Sequence, residues 1–104
     1  MKILQILPAR NDALYRALVK KEADLRRNGR GTFRRVGTKT AKGTKWRHLR
    51  YKGRVNLQRG PTGVVTAKVR TPPGTDDWQL MSALLGFVGR HFGDDVATIT
   101  IHFA

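Results

Sequence analysis

WRHLRYKGRVNLQRGPTGVVTAKVRT, residues 46–71, is the stretch whose reading decides the fold. Glycine and proline crowd into QRGPTG (58–63), so the run reads as two strands joined by a turn. With the first strand taken over 46–57, Leu49, Tyr51, Gly53, Val55 and Leu57 fall on one side. Trp46, His48, Arg50, Lys52, Arg54 and Asn56 fall on the other. On the second strand, 64–71, Val65, Ala67 and Val69 alternate with Thr66, Lys68 and Arg70. Opposed residues of an antiparallel pair share a face, and a slip of one residue would turn every apolar group to the wrong side. Val55 is therefore expected opposite Ala67 or Val65. Either register sets cations against cations: Arg54 and Lys52 against Lys68 and Arg70, or Lys52 and Arg50 against the same two. Such opposition is mildly destabilising unless an anion relieves it.

The charge of the whole chain points the same way. From Leu25 to Thr75 there are 51 residues with 15 Lys and Arg and no Asp or Glu, whereas the rest of the chain holds six basic and seven acidic residues. The formal net charge of +14 thus belongs to the middle of the protein. A surface of this kind attracts polyanions, nucleic acid first and an anionic membrane surface second. Without cysteine there are no disulfides and no thiolate chemistry. The opening MKILQILPARND is interrupted too early for a signal peptide, and no apolar run approaches the roughly 20 residues of a membrane span. A cytoplasmic single domain over 1–104, without membrane attachment, is expected.

Around the hairpin the other elements fall into place. KILQIL (2–7) reads as an interior strand ended by Pro8. A helix over 11–28 follows, capped by Asn11 or Asp12 and closed by Asn28-Gly29. Residues 30–45 give a weak signal, read as a peripheral, flexible basic insert that adds at most a short strand near 32–38. Thr75 is expected to cap an apolar helix over 76–92, and VATITIHF (96–103) alternates as a strand. The order is βαββαβ, a ferredoxin-like α+β sandwich. Its four-stranded antiparallel sheet would carry both helices on one face. The helix at 76–92 is apolar almost all round, which suggests a homodimer through it.

The topology resembles that of RNA-recognition-motif domains, which stack bases on aromatics of the two central strands. KILQIL and VVTAKVR carry no aromatic. The helix-strand-strand-strand-helix run also resembles double-stranded-RNA-binding domains, but Asp76-Asp77-Trp78 stands where those place lysines. No family is matched by its residues.

The expected contact surface comprises Arg34, Arg35, Trp46, Arg47, His48, Arg50, Lys52, Arg54, Lys68 and Arg70. The partner expected is nucleic acid, RNA ahead of DNA, held mainly through phosphates. A rival reading is an assembly protein whose basic face docks an acidic protein. Another is a small metal-independent ribonuclease centred on His48, with Arg47 and Arg50 to hold phosphate and Trp46 and Tyr51 to stack a base. No second proton-transfer group accompanies His48. Asp76-Asp77 and Asp94-Asp95 suit helix starts and turns, so neither a metal nor a cofactor is expected.

Overall fold

The chain adopts an α+β fold in a computed structural model that describes residues 1–10 and 13–103. The elements are β1 (Lys2–Pro8), α1 (Leu14–Arg27), β2 (Phe33–Val36), β3 (Gly43–His48), β4 (Arg54–Arg59), β5 (Val65–Arg70), α2 (Trp78–Phe92) and β6 (Val96–Phe103). All strands join one antiparallel sheet in the order β2-β3-β4-β5-β1-β6. The expected four-stranded ferredoxin-like sheet is therefore corrected to six strands. The segment read as a peripheral insert supplies β2 and the start of β3, and the strand read over 46–57 is two strands.

The reason lies in residues 49–53. Gly53 takes φ 120, and a Cβ there would collide with the Arg70 carbonyl oxygen and the Leu80 side chain. Only glycine lets the chain pass so close to β5 in that conformation. The chain reverses before it, and β4 returns antiparallel beside β3 with Trp46 opposite Val55 and Thr44 opposite Leu57. The reversal resets the alternation, so even-numbered residues point inward on β3 and odd-numbered ones on β4. Trp46, placed by strand parity on the polar side, is 1% exposed.

The hairpin β4–β5 keeps its expected odd-with-odd pairing but in neither expected register. Val55 faces Val69, Leu57 faces Ala67, and Arg59–Val65 closes the turn. The turn centres further along than expected because the Gly60 amide donates to the Val64 carbonyl at 2.7 Å and Gly63 adopts φ 83. Arg54 thus meets Arg70, while Lys68 meets Asn56 rather than a cation.

Both helices pack on the inward face in one core. Leu4, Ile6, Val55, Leu57, Val65, Ala67 and Val69 from the sheet meet Leu14, Tyr15, Leu18, Leu80, Met81, Leu84, Phe87 and Val88. Phe33 and Trp46 anchor the new strands, with ring centroids 5.7 and 5.3 Å from Phe87 and 5.6 Å from each other. Buried aromatics so arranged contribute beyond their area alone. α1 ends as expected: Gly29 has φ 66, with Arg30 N–H donating to the Leu25 carbonyl and Gly29 N–H to that of Arg26. That is the Schellman arrangement. The cap expected at Asn11 or Asp12 lies outside the described residues. α2 starts later than expected, with Asp77 rather than Thr75 before its first turn and the Trp78 N–H donating to Asp76 Oδ1 at 2.9 Å. Asp77 also pairs with Lys2 at 3.1 Å, tying the helix start to β1.

Leu84 is 1% exposed while its neighbour Leu85 is only partly buried against the core. Leu84→Ala is expected to cost about 2–5 kcal/mol and Leu85→Ala clearly less. Lys42→Ala, on an exposed turn, should stay within about 0.5 kcal/mol. Urea melts of the three variants check this, and equal losses at 84 and 85 would misplace the core.

Candidate nucleic-acid interface

The face of the sheet away from the helices carries the alternate set of side chains. Ladder pairing arranges them in rows that cross the strands. One row reads Val36, Lys45, Asn56, Lys68, Ile3, His102 over all six strands. The next, toward the other end of the strands, reads Gly43, Gln58, Thr66, Gln5, Thr100. On the opposite side of the lysine row stand Arg34 opposite Arg47 and Arg54 opposite Arg70. Arginines, lysines and uncharged amides and hydroxyls thus form successive bands, roughly 7 Å apart, since two strand residues rise about that much. The bands hold no acid. The ion pairs observed among the described residues use Asp77, Asp24 and Glu22, which lie on the helices or at their start. Lys45, Asn56, Gln58, Lys68 and Arg70 share a concavity of about 580 Å³ with the 37–40 turn.

The expected residues divide three ways. Arg34, Arg47, Arg54, Lys68 and Arg70 come together on the open face. The Arg34 guanidinium, though, turns back to the carbonyls of Arg30 and Gly31, at 3.1 and 3.0 Å, and braces that turn. Arg50 and Lys52 lie outside the strands in the 49–53 loop; Arg50 lines a separate groove with Trp78, Gln79 and Arg90. Arg35, Trp46 and His48 have the parity of the helix-covered face. Trp46 is enclosed there and presents no ring to a base. Arg35 is half-buried, its Nε without a hydrogen-bond partner. Lys45 and Asn56, central to the lysine row, were not among the expected residues. A β3 starting at Gly43 would have revealed Lys45 by alternation with Thr44 and Trp46; no sequence signal marks that start.

His48 has a structural task. Its Nδ1 accepts hydrogen bonds from the backbone N–H of Arg50 at 3.0 Å and of Tyr51 at 3.2 Å, closing the loop. The ring stacks on Tyr51 at 4.7 Å and meets the edge of Phe33 at 5.0 Å. An accepting Nδ1 places the single ring proton on Nε2. Burial first, and then the positive charge of Arg50, hold the His48 pKa below its ordinary value. Protonation would have to occur at Nδ1 and would displace both loop hydrogen bonds. Among the described residues no three His, Asp or Glu side chains gather as metal ligands.

Comparison with protein-family models, curated proteins and solved structures finds no match.

A histidine whose pKa is depressed on folding contributes stability that is whole above its unfolded value, about 6.5, and lost as pH falls toward the folded value. His91, lowered by burial and then by Lys21, Arg90 and Arg30, acts in the same sense. Melting temperature is expected to drop from pH 7.5 to 5, and His48→Gln should reduce that slope while leaving the share due to His91. An unchanged slope in the variant would remove the protonation argument.

Proposed function

We propose that this protein binds nucleic acid, RNA ahead of DNA, in the cytoplasm, laying the sugar-phosphate backbone across the open face of the sheet. The observation that carries the reading is the Arg54–Arg70 opposition beside the Lys45–Asn56–Lys68 row, in bands that hold no acid. A fold that holds like charges directly opposite one another gains when a polyanion lies between them. The banding supports a direction for the ligand. Phosphates lie along the arginine and lysine rows, across the strands, and the row Gln58–Thr66–Gln5–Thr100 faces the sugars and base edges. Amides and hydroxyls both donate and accept, which suits the 2′-hydroxyl that distinguishes RNA from DNA. Among the described residues the open face presents no Phe, Tyr or Trp, and its one aromatic ring, His102 on β6, stands away from the arginines, so phosphate and sugar contacts, rather than base stacking, supply the affinity. With β2 and β3 set aside the order is βαββαβ, which suggests a ferredoxin-like core widened by those two strands on its basic edge.

Affinity for a generic oligonucleotide should fall steeply with salt, each neutralised phosphate adding about −0.9 to the log–log slope on duplex and −0.7 on a single strand. Changing Lys45 and Lys68 together to Gln should flatten that slope by roughly one to two units and weaken binding alike across sequences. Folding should be kept, because the change relieves repulsion. Fluorescence anisotropy over a salt series, beside a thermal melt, reads both. No binding by the parent in about 50 mM salt would sink the proposal and turn attention to an acidic protein partner.

A further inference from the structure

The sheet has two edges of opposite character. At one end β2 is short, FRRV, and carries two arginines. At the other, β6 runs for eight residues, VATITIHF, with no Lys, Arg, Asp, Glu or Pro. Charge, proline and brevity are the devices that keep an edge strand from pairing with another chain. β6 has none of them. Its helix-side residues Ile99 and Ile101 are only partly covered, and Phe103 is 63% exposed beside Trp78 at 49%. Most of the large apolar side chains of α2, by contrast, lie in the chain's own core: Leu80, Met81, Leu84, Phe87, Val88 and Phe92 are buried, and Trp78, at the helix start, is the exposed one, beside Phe103.

We infer that β6 pairs antiparallel with β6 of a second copy about a two-fold axis at Thr100, joining two sheets into one. In this register Ile99 faces Ile101 of the other copy, Thr98 faces its His102, and Thr100 faces itself. The parity is self-consistent: apolar meets apolar on the helix side and polar meets polar on the open face, as sheet register requires. Asp94 and Asp95, exposed before β6, fall beyond the other copy's Phe103, toward the end where Lys2 pairs with that residue one strand inward.

Electrostatics selects a second copy as occupant and this edge as the site. Two chains of net charge +14 repel, so they can meet only where charge is sparse. Joined through β6, the two β5 strands, the nearest to carry open-face cations, stand five strand spacings apart, roughly 24 Å on an untwisted sheet. That is several times the Debye length of about 8 Å at physiological salt, so the basic regions scarcely feel each other. Joined through β2, Arg34 and Arg47 of both copies would lie within about three strand spacings, roughly 15 Å. An acidic partner, for its part, would be drawn to the basic strands rather than to a neutral edge.

The test uses the full chain at about 100 µM in sedimentation equilibrium, where a micromolar dimer is nearly fully formed. The parent should sediment as a dimer. Thr100→Lys and Thr100→Glu each place like charges across the axis at an exposed position, so both should fold, with melts like the parent's at protein concentrations low enough to leave the parent monomeric too. Each should weaken the dimer by about tenfold or more. An equimolar mixture of the two should restore it, since Lys now faces Glu. A monomeric parent, or variants that dimerise like the parent, overturns the proposal; a mixture that stays weak overturns the pairing at Thr100.

Discussion

Everything distinctive in this fold follows from Trp46 standing opposite Val55. That pairing requires the chain to reverse within residues 49–53 and to let β4 graze β5 at Gly53, where no side chain fits. Once it is made, three antiparallel strands lie side by side with their apolar residues toward α2 and their cations toward solvent. Had the run 46–57 been straight, Trp46 would sit among the arginines and the sheet would lack its aromatic anchor. The reversal therefore settles the hydrophobic core and the charged face in one step.

The two faces bear on each other energetically. Burying a large side chain contributes about 1.5–3 kcal/mol, and Phe33, Trp46 and Phe87 are each 2% exposed or less. Opposed like charges on a solvated sheet cost a fraction of that. The aromatic cluster therefore fixes β2 and β3 against the sheet despite the repulsion on its other side, and the cations can be held close without loss of fold. Charge density is sustained by the core beneath it.

Much of this architecture is legible in the residues. The alternation of Val65, Ala67 and Val69 with Thr66, Lys68 and Arg70, the Asn28-Gly29 stop and the VATITIHF strand each announce themselves through local periodicity or turn chemistry. Of the expected site, Arg54, Lys68 and Arg70 follow from that alternation, and Arg47 reaches the same face only because of the reversal. The rest depends on non-local packing. Phe33 and Trp46 are isolated large residues in a run of glycine, threonine and basic side chains, and nothing local shows that both reach Phe87. Because alternation is counted from a strand's start, a straight strand over 46–57 assigns Trp46 to the polar face and leaves Lys45 outside the strand. The register of the β4–β5 hairpin was likewise set by which residues the turn absorbed, Gly60 to Val64, a choice that side-chain parity alone leaves open by steps of two.

The position of the charge within the strand order carries its own logic. β2, β3 and β4 bring most of the cations to one side of the sheet, while β1 and β6 bring isoleucine, threonine, glutamine and one histidine to the open face at the other. The edge that closes the basic side is four residues long and carries two arginines, which discourages another strand from pairing there. The edge that closes the neutral side is twice as long and unguarded. Evenly spread cations would have made every approach repulsive, whereas segregation leaves one end suited to a polyanion and the other to an uncharged strand. A single six-stranded sheet thus separates the two kinds of contact by its own width, and neither has to be weakened for the other to exist.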